Sequence, residues 1–239
     1  MPSKVVDREE WIAARKDLLQ KEKEYTRAGD DLAAQRRELP MVKIDKTYTF
    51  QGPNGTEVTL TDLFGDKEQL VVYHFMFKPE DDRGCAGCSH IGMSLPDVRH
   101  LQLKNTNLVC ISRAPVEKLE AFKQKAGWTF PWYSSGGSDF NYDFHATIDE
   151  SVAPVLLNFL TKDEMEEMGK SLYTGEVPGF SVFWKKEGGE IYHTYSTFAR
   201  GCEKVLPTLA VLDMTPLGRQ IGQYGPAEFK LGFEYDAEK

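Results

Sequence analysis

Two cysteines separated by two residues constrain this chain more than any other feature of its sequence. Cys85 and Cys88 form the sequence CAGC, shortly after residues 70–77, which are the apolar and aromatic run LVVYHFMF. Such a run is typical of a strand buried on both faces, so the pair is predicted to lie where a strand gives way to a helix. Unpaired N–H groups at a helix N-terminus stabilise a thiolate. We therefore expect Cys85 to be the attacking thiol and Cys88, one turn inside the helix, to be the resolving thiol.

The composition narrows the chemistry that this pair can perform. The chain has 239 residues, 41% hydrophobic and 28% charged, as is ordinary for a globular protein. With a net charge of −8 and no basic patch, it is not expected to bind nucleic acid or a membrane. The absence of a secretory signal or a long apolar run favours a cytoplasmic protein. In that compartment four cysteines do not form a disulfide framework, so CAGC indicates redox chemistry or metal binding.

A charged helical arm is predicted to precede the main domain, over residues 1–40. Residues 7–38 are crowded with charged side chains. Large apolar residues recur every seven positions, at Trp11, Leu18, Tyr25 and Leu32. This stripe predicts one or two amphipathic helices, which Pro40 ends. The arm is expected to pack on its own domain or on a second copy of the chain. In the second case the protein would be a homodimer.

The rest of the chain alternates between strand and helix patterns. A small hairpin is predicted for residues 48–50 and 58–60, because Gly52-Pro53-Asn54-Gly55 between them is strong turn chemistry. The further predicted strands are residues 70–77, 107–112, 180–184 and 190–195. The predicted helices are residues 85–104 with an interruption at Gly92 and Pro96, 115–126, 155–168 and 199–214.

From residue 69 onward the order is strand, helix, strand, helix, an insertion, strand, strand and helix. This order predicts a parallel strand pair extended by an antiparallel hairpin, in a mixed sheet flanked by helices. It is the order of the thioredoxin fold, so we predict an α/β, thioredoxin-like domain over residues 41–219. Residues 220–239 form a C-terminal tail that either docks on this domain or remains loose.

Pro178 is a second candidate functional residue. In thioredoxin-like proteins a cis-proline begins the strand that faces the cysteines, and Val177-Pro178 stands in this place. We therefore predict a cis Val177–Pro178 bond whose backbone pairs with an extended substrate or forms a pocket wall. Neighbouring aromatic side chains are expected to shape the substrate pocket. They are Tyr73, Phe75, Trp132 and Tyr195.

Three histidines make a metal site the alternative. If the thioredoxin-like fold is correct, His74, His90 and His193 could approach Cys85 and Cys88, and thiolate with imidazole ligands suits copper or zinc. The copper-delivery proteins of cytochrome oxidase assembly also have a thioredoxin fold, and they bind copper with a CxxxC pair and a distant histidine. Here the cysteine spacing is one residue shorter.

Four long motifs carry a resemblance to a known family. They are LVVYHFMFKPEDDRGCAGCSH, VCISRAPVEKLEAFKQKAGWTFPWYSSGGSDFNYDFH, PGFSVFWKKEGGEIYHTYSTFARG and LDMTPLGR. With the arm, residues 11–219 resemble a thioredoxin-like family of bacterial and fungal proteins, domain of unknown function 899. More distantly, FKPEDDRGC is similar to the approach to the reactive cysteine of peroxiredoxins, without the threonine of that group. Gly84 and Gly87 stand where thioredoxin has the tryptophan and proline of WCGPC. The resemblance implies a fold and leaves the reaction open.

Two hypotheses about function follow from the same two sulfurs. The first is a thiol-disulfide oxidoreductase or peroxidase-like enzyme, with Cys85, Cys88 and Pro178 in its catalytic site and no bound cofactor. The alternative is a mononuclear copper oxidase or oxygenase acting on an apolar or aryl substrate. A non-catalytic adaptor that uses the arm is a third class. Cys110 and Cys202 are interpreted as structural.

Overall fold

An eight-stranded mixed sheet forms the centre of the protein in a computed structural model that describes residues 4–237. Residues 1–3 of the predicted arm and 238–239 of the predicted tail lie outside the described residues. Over the described range the strands are β1 Val42–Lys43, β2 Thr49–Gln51, β3 Glu57–Thr59, β4 Gln69–His74, β5 Thr106–Ser112, β6 Trp132–Ser134, β7 Thr147–Ile148, β8 Leu156–Leu157, β9 Leu160–Thr161, β10 Gly175–Glu176, β11 Gly179–Lys185 and β12 Ile191–Phe198. The α-helices are α1 Arg8–Arg37, α2 Ala86–Ser94, α3 Val98–Gln102, α4 Val116–Ala126, α5 Phe140–Asp143, α6 Lys162–Glu167, α7 Pro207–Asp213 and α8 Gly232–Asp236.

The order of the strands confirms the predicted thioredoxin-like fold. The large sheet has the order β1-β12-β11-β4-β5-β6-β2-β3. Strands β4, β5 and β6 run parallel, whereas β11 is antiparallel to both β4 and β12. At its centre, β5-β4-β11-β12 is therefore a parallel pair extended by an antiparallel hairpin, with helices packed on the sheet.

Proline and glycine mark the ends of several helices. Pro115 directly precedes α4, and Gly127 follows it with φ 70°, a left-handed conformation that glycine adopts without steric cost. The predicted helix over residues 85–104 is divided into α2 and α3 around Pro96, as expected for a residue without an N–H donor. The predicted last helix is likewise divided, into a 3₁₀ helix at Ala199–Val205 and then α7.

The predicted helix over residues 155–168 is wrong in its first half. This segment forms the two-stranded hairpin β8–β9, whose turn places Asn158 and Phe159 at φ 49° and 65°. Helix α6 begins only after Thr161, because the Thr161 hydroxyl accepts a hydrogen bond from the N–H of Glu164 while the Glu164 carboxylate accepts one from the N–H of Thr161. This capping box sets the start of the helix more strongly than the apolar residues before it.

The two faces of the sheet have separate cores. Along β4, Val71 and Tyr73 point to one face, and Leu70 and Val72 point to the other, because side chains alternate along a strand. The first face carries both cysteines of the CAGC sequence with the helices that cover them. The opposite face packs against a separate aromatic cluster around Phe140.

Helix α1 extends along the protein without a buried side chain. Its predicted apolar stripe is 46–82% exposed, and its last turn contacts the body where the Arg36 guanidinium lies 5.7 Å from the Tyr195 ring centroid. No helix within residues 4–237 has both the length and the apolar character needed to cross a membrane.

Candidate active site

Cys85 occupies the N-cap of α2, as the sequence predicts. The Cys85 carbonyl accepts hydrogen bonds of 2.8 Å from both the N–H and the hydroxyl of Ser89, and the Cys85 N–H donates to the Met76 carbonyl. The loop before it passes directly over an aromatic ring, since a Cβ on Gly84 would lie 2.6 Å from Cε1 of Phe75. Gly84 is therefore needed for this close approach, which holds Cys85 at the start of the helix.

The surroundings of Cys85 stabilise its thiolate. The Cys88 thiol donates to the Cys85 sulfur, and this hydrogen bond contributes most to lowering the pKa of Cys85 to about 6, against the opposing effect of burial. The N–H groups of Cys88 and Gly87 and the charge of Arg83 act in the same direction. Since an ordinary cysteine has a pKa of about 8.5, the Cys85 sulfur is largely ionised near neutral pH.

Cys88 lies beneath Cys85, and the pKa of its thiol is shifted in the opposite direction. It is 1% exposed, and burial raises the pKa of its thiol well above the usual range. The N–H of Met76 donates to its sulfur at 3.4 Å. The buried hydroxyl of Tyr73 also lies beside Cys88, and burial together with this neighbour raises the pKa of Tyr73. Neither cysteine is part of a disulfide in this structure.

A mostly apolar cavity of about 310 Å³ opens beside the two cysteines. Its walls on the thioredoxin-like domain include Met76, Ile91, Pro178, Cys202 and Leu206. Its remaining wall comes from the C-terminal tail. The tail residues are Tyr224, Pro226 and Ala227. The charged side chains Arg200 and Glu203 also line it, and they pair with each other at 2.9 Å.

The tail docks on the CAGC helix. Backbone N of Ala227 lies 3.5 Å from the position that a Cβ on Gly87 would take. One turn further, the ring of Phe229 stacks on His90 with 4.3 Å between the ring centroids. The tail is therefore packed over the motif in this structure.

Besides the two cysteines, four of the predicted catalytic and pocket residues lie on the cysteine side of the sheet, at different depths. Pro178 lines the cavity, but its peptide bond is trans, so the predicted cis bond is wrong. The chain passes from β10 to β11 across only two residues, and the intrinsically favoured trans bond continues this path. Tyr73, Phe75 and Trp132 form a fully buried layer beneath the cysteines and do not line the cavity.

Tyr195 lies away from the cysteine cavity. It lines a separate cleft of about 450 Å³ between the end of α1 and the sheet, where it contacts Arg36. No wall of the cavity beside Cys85 includes it.

The five predicted metal ligands, Cys85, Cys88, His74, His90 and His193, do not form one site. His74 and His193 lie on the opposite face of the sheet from Cys85 and Cys88, because their positions in β4 and β12 point the side chains toward Phe140, Phe144 and Phe183. Among residues 4–237, no group of three or more histidine, cysteine, aspartate or glutamate side chains is arranged to hold a metal ion.

The two histidines instead end a chain of hydrogen bonds. Nε2 of His74 lies 2.8 Å from the Ser181 hydroxyl, which lies 2.8 Å from the Ser196 hydroxyl, which lies 2.8 Å from Nε2 of His193. Burial, with a contribution from His193, lowers the pKa of His74 to about 3. Burial also lowers the pKa of His193.

A buried polar cluster fixes the segment that leads to Pro178. The Glu176 carboxylate accepts hydrogen bonds from Arg113 at 3.0 Å and from the Thr147 hydroxyl at 2.8 Å. The Tyr173 hydroxyl donates to the Glu176 carbonyl at 2.8 Å. Burial nevertheless raises the pKa of Glu176. These hydrogen bonds fix the backbone two residues before Pro178, which lines the cavity.

Sequence reasoning missed two parts of the cavity. Cys202, interpreted as structural, lines the cavity, although burial raises the pKa of its thiol to about 12. The sequence indicates no fixed position for the C-terminal tail, which supplies one wall of the cavity. The signal for this in the sequence is the four aromatic residues of the tail, Tyr224, Phe229, Phe233 and Tyr235, because an exposed tail rarely keeps four large rings.

Fold and site together define a thioredoxin-fold protein with a CxxC thiol pair at the start of a helix. The chain belongs to the family described as bacterial protein of unknown function (DUF899), whose model matches residues 1–235. No protein of curated function matches the sequence.

Solved structures with a similar arrangement include peroxiredoxins at low identity. Peroxiredoxin Q from Xanthomonas campestris, in a cysteine-to-serine variant, is 16% identical with a TM-score of 0.46, covering 72% of this chain and 98% of that chain. Peroxidoxin BcpB from Mycobacterium tuberculosis is 15% identical with a TM-score of 0.45, covering 73% and 97%. PrxQ from Xylella fastidiosa, also a cysteine-to-serine variant, is 16% identical with a TM-score of 0.42, covering 69% and 88%.

Proposed function

We propose that the protein is a thiol-dependent oxidoreductase whose reaction uses Cys85 and Cys88. The observation that supports this most is the pairing of an ionised, partly accessible sulfur with a protonated, buried one directly beneath it. A thiolate is the reactive form of cysteine, and a neighbouring thiol can then complete a disulfide.

The reaction has two steps on the protein. The Cys85 thiolate attacks one atom of a substrate S–S or O–O bond, and the other half of the substrate leaves as a thiolate or alkoxide that takes a proton. The Cys88 thiol then loses its proton and attacks the Cys85 sulfur. This expels the second half of the substrate as a thiol, or as water when Cys85 carries a sulfenic acid. The substrate gains two electrons and the protein gains a Cys85–Cys88 disulfide, which an external dithiol reduces.

The test is a redox titration of the full chain. Protein is equilibrated across a dithiothreitol series, quenched with an alkylating agent and measured by mass spectrometry. We expect two thiols to be lost together in one two-electron transition, and Cys85→Ser to abolish it. Cys110→Ala is the matched control, because this buried cysteine in β5 does not line the cavity.

A pair that never forms a disulfide at any potential would overturn the proposal. So would a transition that persists unchanged in Cys85→Ser. Turnover of a small disulfide and of a hydroperoxide with the same dithiol then distinguishes S–S from O–O cleavage.

A further inference from the structure

The C-terminal segment from residue 221 to residue 234, the cap segment, covers the CAGC helix at several points. We infer that the cap segment is the specificity-determining wall of the cysteine site, which it confines to small molecules bearing a compact apolar group. This inference rests on the proposed function, because it names the substrate class of the same two cysteines.

The cap segment is attached to the body by contacts of different kinds. Leu231 is 2% exposed and belongs to the core on the cysteine face of the sheet. The Glu234 carboxylate pairs with Arg83 at 3.1 Å, two residues before Cys85. The Lys125 ammonium lies 4.5 Å from the Phe233 ring centroid. Apolar burial, an ion pair and a cation–π contact therefore hold the cap segment over the motif.

The part of the cap segment that lines the cavity is also held from within. The Glu228 carboxylate accepts hydrogen bonds from the N–H of Gly222 at 2.9 Å and of Tyr224 at 3.2 Å. This closes a turn that presents Tyr224 and Ala227 to the cavity. The wall that the cap segment forms therefore has a defined shape, which is required if the cavity is to select substrates by size.

The lining of the cavity favours an apolar ligand. Its charged residues, Arg200 and Glu203, neutralise each other, and Glu203 also pairs with Arg219 at 2.8 Å. The remaining walls include the apolar side chains Met76, Ile91 and Leu206. Transfer of a compact apolar group from water into the cavity is therefore favourable.

A polypeptide substrate is disfavoured for a separate reason. The N–H of Val177, beside Pro178, already donates to the Ala146 carbonyl at 2.8 Å, and β10 pairs with β7 along this edge. An extended peptide adds to a sheet only where backbone groups are free. Ala227 packs over Gly87 on the other side, so the cap segment occupies the space beside Cys85 that an extended peptide would need.

The test compares the rates at which Cys85 reacts with probes of different size. Methyl and benzyl methanethiosulfonate each transfer a thioalkyl group to the Cys85 thiolate and release methanesulfinate. Cys88 then expels that group as a thiol, leaving the Cys85–Cys88 disulfide. Insulin, whose disulfides join polypeptides, is the large substrate. Because all rates scale with the same thiolate fraction, the benzyl-to-methyl ratio reports on the cavity alone.

We expect Ala227→Trp, which fills the cavity from the cap segment, to lower the benzyl-to-methyl ratio by about tenfold. Ala237→Trp makes the same change on an exposed position outside the cavity and is expected to leave the ratio unchanged. Glu234→Lys places a third positive charge beside Arg83 and Lys125, which loosens the cap segment. It is expected to speed the reaction with insulin, which we expect to be slow in the unmodified protein.

Two results would overturn the inference. One is insulin reacting with the unmodified protein as fast as a small disulfide such as bis(2-hydroxyethyl) disulfide, and the other is a benzyl-to-methyl ratio that Ala227→Trp leaves unchanged. Thermal unfolding of each variant shows that the ratios come from folded protein. A Cys85–Cys88 pair that titrates normally while the ratio stays constant disproves the inference and leaves the proposed function intact. A pair that never titrates disproves the proposed function itself.

Discussion

The acidity of Cys85 depends more on the thiol beneath it than on the helix that follows. The Cys88 hydrogen bond contributes most to lowering the pKa of Cys85 to about 6, ahead of the backbone N–H groups and of Arg83. The reactive and the resolving sulfur are therefore coupled before any substrate arrives. A change at the buried residue must alter the chemistry of the accessible one.

Cys88→Ala is expected to raise the pKa of Cys85 by about one to two pH units, because the donor to the thiolate is lost. Cys88→Ser retains a hydroxyl donor and should raise it less. The measurement is the pH dependence of the alkylation rate in each variant. Equal midpoints in the unmodified protein and in Cys88→Ala would show that the helix N-terminus, and not Cys88, stabilises the thiolate.

Gly84 illustrates a constraint of packing at a single residue. Gly84→Ala places a Cβ 2.6 Å from Phe75, whose ring is enclosed by the core, so we expect a loss of about 1–3 kcal/mol in the free energy of unfolding. Gly137→Ala is the matched control, because nothing lies within 4 Å of its added Cβ. Urea denaturation measures both, and equal stabilities would contradict the packing argument.

The residue types at the site could be predicted from sequence, whereas several orientations could not. CxxC after a buried strand correctly gives the place of Cys85 and Cys88 in the fold. The face of the sheet to which His74 and His193 point depends on strand register, and β12 contains an irregularity opposite Val182 and Phe183. The bond before Pro178 is trans, and no local sequence pattern distinguishes it from the cis bond of thioredoxin-like proteins.

At the scale of elements, three strands are joined by buried polar groups on the face away from the cysteines. His74 in β4, Ser181 in β11 and the pair Ser196 and His193 in β12 form one hydrogen-bonded chain. Buried imidazoles of this kind must remain neutral, so the chain links the stability of the sheet to pH.

We expect acid to destabilise the protein through His74. Its pKa is about 3 in the folded state and about 6.5 in the unfolded chain, so below pH 6.5 the unfolded state binds the additional proton. The contribution of neutral His74 to the free energy of unfolding is fully present above pH 6.5. It falls as the pH is lowered toward 3, and about 2 kcal/mol of it is lost at pH 5. Urea denaturation of His74→Asn should lack this part of the decline. Exposed His100→Asn is the control, and identical pH profiles for both variants would contradict the prediction.

The order of elements was predictable because strands and helices alternate with clear turn signals. Residues 155–168 show where this fails. Their apolar residues suit a helix or a hairpin equally, and the capping box at Thr161 decides the boundary.

For the whole molecule, helix α1 is the feature least accounted for by contacts within the chain. Its 30 residues include no buried side chain, although its apolar residues repeat every seven positions. A heptad repeat is typical of a helix that packs on another helix. A second copy of the arm meets this requirement.

We therefore expect the protein to form a homodimer through α1. Sedimentation equilibrium should give about twice the chain mass of 27.1 kDa, and the double variant Leu18→Glu with Tyr25→Glu should give the mass of one chain. Lys23→Glu, a polar position of the same helix, is the control. A single-chain mass for the unmodified protein would contradict the prediction.

The contact between Gly87 and Ala227 has a consequence for how the family diversifies. The two residues are 140 positions apart in sequence, yet backbone N of Ala227 lies 3.5 Å from the place of a Gly87 side chain. A larger residue between the cysteines would displace the C-terminal turn unless that turn changed with it. The CAGC motif and the C-terminal tail therefore cannot change independently, and relatives with a bulkier CxxC sequence should carry a compensating change near residue 227.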